Sequence, residues 1–190
     1  MKPCTIYLTH HSHCDLGYTH DLPIVYELQR RYIDDALDLI ERYSDEGDDA
    51  TFRWTCEVTS VVQHWLRTAS SKQVERFLAA AARGQMEVCA LWCNLTPLAT
   101  LGQLTEMLTP LRQLRDDMGL TVKAAMNSDV NGFSWALAGL LADSGIEGLT
   151  MSINEHFGGA PQPFPGLFRW QTPNGKLLPV WSGPIHAVWA

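Results

Sequence analysis

Short apolar runs alternate with longer amphipathic stretches along most of this chain, and that rhythm restricts the fold more than any other feature. Thr5-Ile6-Tyr7-Leu8 reads as a buried strand. From about Asp21 to Tyr43 the residues Val25, Leu28, Tyr32, Ala36, Leu39, Ile40 and Tyr43 recur at helical steps, with Asp21 placed as N-cap and Pro23 in the first turn. Ser44 to Asp49 is a solvated loop, and Thr51-Phe52-Arg53-Trp54-Thr55 a second strand leading to Glu57. Val61, Val62, Trp65 and Leu66 mark a short helix. Ser70 and Gln73 resemble a capping box that opens another through Val74, Phe77, Leu78 and Ala81, stopped by Arg83-Gly84.

The third strand spans Met86 to Trp92. Leu104, Met107, Leu108, Leu111, Leu114 and Met118 predict one helix bent at Pro110 and closed by Gly119. Thr121 to Met126 is a fourth strand, Phe133 to Asp143 a helix, and Ile146 to Ile153 a fifth strand. Strands and helices at this spacing predict an α/β fold, a parallel sheet or β/α barrel with covering helices. Beyond His156 the rhythm breaks into a Gly- and Pro-rich loop, Gly158 to Gly166, suited to a lid. A hairpin follows: Phe168 to Gln171 and Leu177 to Trp181 around Pro173-Asn174-Gly175-Lys176, with Pro179 suggesting an edge strand.

In parallel β/α architectures the functional site lies past the C-terminal ends of the strands. The first strand runs into His10-His11-Ser12-His13-Cys14-Asp15-Leu16-Gly17-Tyr18. His13 and Asp15 are two apart and project to one side of extended backbone, offering the nitrogen and oxygen donors that zinc takes. His11 shares that parity, as a third ligand or an outer support. The second strand end offers Glu57, the third Asn94, the fourth Asp129 and Asn131, and the fifth Asn154, Glu155 and His156; the last apolar run brings His186. None is Lys or Arg, so the mouth suits a divalent cation and a hydroxyl-rich neutral substrate better than a phosphate. Tyr18, Trp54, Trp92 and Trp135 have the shape to stack on sugar rings, though each tryptophan taken singly is expected in the core. Asp129 has an alternative as N-cap of the helix near Phe133, a place Asn131 or Gly132 fills better. Glu57 has one as cap of the helix after it. The roles of His156 and His186 are open.

Composition removes other classes. A formal net charge of −7 disfavours nucleic acid and anionic membranes as partners. The five cysteines, Cys4, Cys14, Cys56, Cys89 and Cys93, contain no CxxC pair and indicate neither a disulfide framework nor a cysteine zinc site. No run approaches the ~20 apolar residues of a membrane span. His10 and His11 interrupt any secretory signal, leaving a cytoplasmic location as the default expectation.

At these residues the chain resembles the N-terminal catalytic domain of glycoside hydrolase family 38, the retaining α-mannosidases. His11-Ser12-His13-Cys14-Asp15-Leu16-Gly17-Tyr18 is similar to that family's H-x-H-x-D-x-G-W motif, with Tyr for Trp. Phe52-Arg53-Trp54-x-x-Glu57 resembles its second-strand segment, Gly84 to Val88 its third, and Ala125 to Ser134 the strand bearing its nucleophile; Ser144-Gly145-Ile146 matches the approach to the next. The resemblance implies a seven-stranded β/α barrel of the glycoside hydrolase/deacetylase type binding one zinc ion. It also implies His13, Asp15 and Asp129 as ligands, Asp129 as nucleophile, and Tyr18 as the aromatic floor under the sugar. Trp54 and Asn131 join Tyr18 as substrate-binding candidates, with His11 and Glu57 as outer support. The implied activity is zinc-dependent, retaining hydrolysis of α-mannoside-like carbohydrate. The family's fourth ligand, a His, and its general acid have no counterpart here, and Ile153 falls near a substrate-contacting Arg seen in many members.

Two expectations concern the rest of the molecule. Pro184 to Ala190 reads as a strand stopping in mid-run, so residues 1–190 are expected to form a single domain that is the N-terminal part of a larger barrel. Its open edge calls for a homo-oligomer or further C-terminal domains. The alternatives are a metal-dependent amidohydrolase or phosphoesterase, which needs more His than this chain supplies, and a non-catalytic carbohydrate-binding fragment. A metallo-β-lactamase is excluded by Leu16 at the final position of HxHxDH.

Overall fold

The computed structural model describes residues 8–44, 51–96, 98–130, 132–153 and 166–184. The expected first strand, Asn131, the lid loop, His156 and His186 lie largely or wholly outside them.

Helix α1, Leu22–Arg42, follows the sequence periodicity: Val25, Ile33, Ala36, Leu37 and Ile40 are buried on one face. Each Val, Leu or Ile side chain among them contributes roughly 1.5–3 kcal/mol when fully buried. Asp21 holds the N-cap position through its backbone alone, its carbonyl accepting from Ile24 and Val25. Against α1 pack α2, Thr59–Leu66, and α3, Ser71–Ala82. Trp65 of α2 lies at their junction with no exposed surface, its ring 5.2 Å from that of Phe77. Its indole donates to Asp34 Oδ1 at 2.8 Å, which also accepts from Gln73 Nε2 at 2.9 Å. The Ser70–Gln73 capping box forms as predicted.

Strands β1, Trp54–Cys56, and β2, Met86–Val88, make a two-stranded parallel ladder. Both are shorter than the apolar runs suggest, yet the backbone stays aligned at their ends: Cys89 N donates to Cys56 O and Ala90 N to Ala124 O. His11 forms a parallel bridge with Thr55, which places the histidine-rich segment beside β1. Four strands form the second sheet in the order β3-β4-β6-β5: β3, Ala124–Ser128; β4, Gly148–Ile153; β5, Gly166–Gln171; and β6, Leu177–Pro184. The β3–β4 and β4–β6 pairs are parallel, and the β5–β6 hairpin is antiparallel.

Several expectations need correction. The fold is α/β with mixed sheets; six strands in two sheets are present among the described residues, and a seven-stranded barrel is not shown. Pro179 sits in an internal strand, because β6 lies between β4 and β5. The β4 ladder begins at Val180, one residue later, so the missing N–H falls outside it. The single bent helix over Leu104 to Met118 is instead α4, Leu101–Glu106, and α5, Thr109–Arg112, the latter widening into a π turn over Gln113–Asp117. Thr100 and Gln103 form a second capping box that starts α4 early. Pro110 stands in the first turn of α5, where a missing N–H costs nothing. Helix α6, Trp135–Asp143, has Ser134 as its N-cap. Neither Asn131 nor Gly132 has that place.

Candidate metal centre

Glu57 follows β1 directly and is buried, with 1% of its surface exposed. It does not cap α2, whose N-cap is Val58. Its two oxygens reach back to the histidine-rich segment instead. Oε1 lies 2.9 Å from His13 Nδ1, and Oε2 accepts the Cys14 N–H at 2.7 Å. From the other side Gln29 of α1 donates to the His13 carbonyl at 2.9 Å and to Ser12 Oγ at 3.2 Å. The imidazole is thereby held by its Nδ1 edge, and Nε2 points at two more carboxylates. Asp15 Oδ1 is 3.1 Å away and Asp129 Oδ2 3.6 Å away.

Asp129 stands just past β3, and α6 starts six residues beyond it, so it is no helix cap. Its φ of +58° makes it the one non-glycine residue with positive φ among those described. That left-handed conformation costs an L-residue roughly 1–2 kcal/mol, least for Asp and Asn. The local network holds it there. Asp129 N donates to Ser152 O of β4 at 2.9 Å, and the preceding Ser128 N donates to Asn94 Oδ1 at 2.9 Å. Asn127, with no exposed surface, accepts from Leu95 N and donates to Leu95 O through its side chain.

The donor set fits a small divalent cation. One atom each from His13, Asp15 and Asp129 lies within 4.8 Å of the others. Donors about 2.0–2.2 Å from a tetrahedral zinc stand about 3.3–3.6 Å apart, near the His13–Asp15 and His13–Asp129 separations. His13 Nε2 and Asp129 Oδ1 are buried and make no hydrogen bond. Unsatisfied buried polar atoms are rare in native folds, and a metal is one of the partners that accounts for them. Glu57 on Nδ1 leaves Nε2 as the coordinating nitrogen, the carboxylate–histidine–metal arrangement. Without a cation, burial works against a charged His13, but the Glu57 hydrogen bond and the charges of Glu57, Asp15 and Asp129 outweigh it and raise the ring to about 9. Burial likewise pushes the Glu57 carboxyl up, and His13 and the Cys14 N–H more than reverse it, leaving Glu57 below the usual range.

The remaining candidates are placed differently. His11 is exposed and outside the donor group; its charge reaches Glu57 but its ring joins no ligand. Trp54 opens β1 three residues before Glu57, about 10 Å of strand away, and packs on the core beside Phe52. It serves there as packing, away from the strand end. Tyr18 is 85% exposed and follows Gly17, whose φ of +84° turns the chain there. Sequence reasoning missed Gln29 and Asn127. Gln29 carried a signal, a lone amide in the buried Val25–Gln29–Ile33 stripe; Asn127 looked like loop.

Residues 3–183 match the glycosyl hydrolases family 38 N-terminal domain. The chain belongs to this family. Among solved structures it is similar to an alpha-mannosidase from Enterococcus faecalis V583, at TM-score 0.69 and 13% identity over 92% of this chain and 19% of that one. A protein in glycosyl hydrolase family 38 from Enterococcus faecalis gives 0.66 and 13% over 96% and 18%. A 4-alpha-glucanotransferase from Thermococcus litoralis gives 0.61 and 15% over 92% and 27%. These likenesses establish the α/β fold of the family 38 N-terminal domain. No curated protein sequence matches the chain. The chain spans about a fifth to a quarter of the length of these structures.

Proposed function

We propose that this family 38 domain carries the zinc site and nucleophile of a retaining glycosidase acting on α-mannoside-like carbohydrate. One observation carries the reading: the carboxylates of Asp15 and Asp129, far apart in the sequence, converge on the free nitrogen of His13.

His13, Asp15 and Asp129 would hold the zinc ion, and Glu57 and Gln29 would keep His13 in register for it. When bound, zinc supplies a Lewis acid that fixes sugar hydroxyls and keeps the neighbouring carboxylates ionised. Asp129 then acts as the nucleophile. One of its oxygens forms a bond to the anomeric carbon as the bond to the leaving oxygen breaks, and a second carboxylic acid gives that oxygen its proton. Water then cleaves the glycosyl ester with the same acid acting as base, which retains configuration. The two carboxyl groups stand roughly 5–5.5 Å apart in retaining enzymes. Asp15 is not the acid while it holds the cation. The ring of Tyr18 and the amide of Asn131 are proposed to contact the sugar.

Hydrolysis of nitrophenyl α-mannoside against nitrophenyl phosphate, with zinc content measured on the same sample, tests the reading. Zinc-bound protein that cleaves the mannoside, and loses that cleavage in Asp129→Asn, is expected. Phosphate cleavage alone, or full glycosidase activity in Asp129→Asn, sinks the assignment.

A further inference from the structure

We infer that Asn94 is a positioning residue for Asp129, acting through the backbone of Ser128; the inference rests on the metal-centre reading. β2 and β3 belong to separate sheets, and one backbone bond, from Ala90 N to Ala124 O, joins the segment after β2 to the start of β3. Beyond that point asparagine side chains take over. Asn127 presents its amide to Leu95 N and O at 2.9 and 3.1 Å, as the peptide of a neighbouring strand would. Asn94, on the segment so anchored, presents Oδ1 to Ser128 N at 2.9 Å. The strand grips the loop through one amide and the loop grips the strand through the other.

The second grip falls one residue before Asp129. Asn94 thereby holds the Asn127–Ser128 peptide, one link back from the peptide that leads into the left-handed Asp129, and so helps fix the backbone from which that carboxylate projects. Ser152 O holds the peptide on the far side of Ser128. With both N–H groups tied, the backbone that carries the side chain is fixed, and the Asp129 carboxylate lies 3.6 Å from His13 Nε2. Asn94 also leaves its own Nδ2 buried without a partner. A leucine would fill the space without that penalty, so packing alone does not account for an amide here.

The test is zinc affinity, read by competition with a chromophoric chelator, in wild type, Asn94→Leu, Asp129→Asn and the double variant. Asn94→Leu is expected to weaken zinc ten- to a hundredfold, the range for partners that orient a ligand. In the Asp129→Asn background the same change should alter affinity by less than about twofold, because the two act as one unit. Asn94→Asp, which keeps the acceptor oxygen, should bind at least as well as wild type. Should Asn94→Leu fail to fold, Asn94→Ser takes its place with the same expectations. Zinc binding that Asn94→Leu leaves unchanged overturns this role alone, as does a loss that persists undiminished beside Asp129→Asn. A wild-type protein that binds no zinc overturns the metal centre and this role with it.

Discussion

Glu57 Oε1 lies 2.9 Å from His13 Nδ1, while the other oxygen of the same buried carboxylate takes the Cys14 N–H. One side chain therefore fixes both the ring and the peptide that carries it. Glu57→Gln keeps the shape and removes the charge that opposes rotation of the ring. Zinc affinity should fall ten- to a hundredfold, and the metal-free protein should lose about 1–3 kcal/mol in urea denaturation. Unchanged affinity would show that Glu57 does not orient His13.

The left-handed backbone at Asp129 predicts a conflict between function and stability. Asp129→Ala and Asp129→Gly both delete the carboxylate and should both abolish tight zinc binding. Only glycine adopts positive φ without penalty, so in the absence of metal the glycine variant should be more stable than the alanine variant by roughly 1 kcal/mol. Equal melting temperatures would place the strain elsewhere.

Metal itself should stabilise the fold. Zinc present at a hundred times its dissociation constant adds about 2.7 kcal/mol by mass action. The thermal midpoint should rise with zinc and return on chelation, and His13→Ala should show no rise. A shift that survives His13→Ala would point to a different set of ligands.

Away from the site, Asp34 collects the buried Trp65 indole and the Gln73 amide on one oxygen. Asp34→Ala strands that indole N–H and should cost about 1–3 kcal/mol. Asp34→Asn, which keeps an acceptor, should cost less. Equal losses in denaturation would mean that the carboxylate charge, through its pairing with Arg30, is the larger effect.

Helices were legible where the apolar stripe was long. Residues from Val25 to Ile40 predict α1 because about four turns repeat one spacing. The Thr100–Gln103 capping box carries the same signature as Ser70–Gln73 and was equally readable. The end of β3 was not: Asn127 and Ser128 have loop composition, and they join the strand by pairing with Met151 and Ser152 of β4, while the amides of Asn127 and Asn94 tie the other edge to the neighbouring segment. Parity brought His13 and Asp15 together, yet His11 with the same parity is excluded. Its backbone bridges to Thr55 and its side chain is exposed, and the chain past it carries no regular strand, so equal parity in sequence does not bring the ring to the same place. No periodicity announces a single left-handed aspartate.

The two sheets meet at the backbone bond between Ala90 and Ala124, and the donor set straddles that seam. His13 and Asp15 belong to the half built on β1, Asp129 to the half built on β3. An ion bound by all three would act as a rivet across the seam between the two sheets. Amide protons flanking the seam should then exchange faster with solvent once the rivet is withdrawn, while those deep in α1 keep their pace.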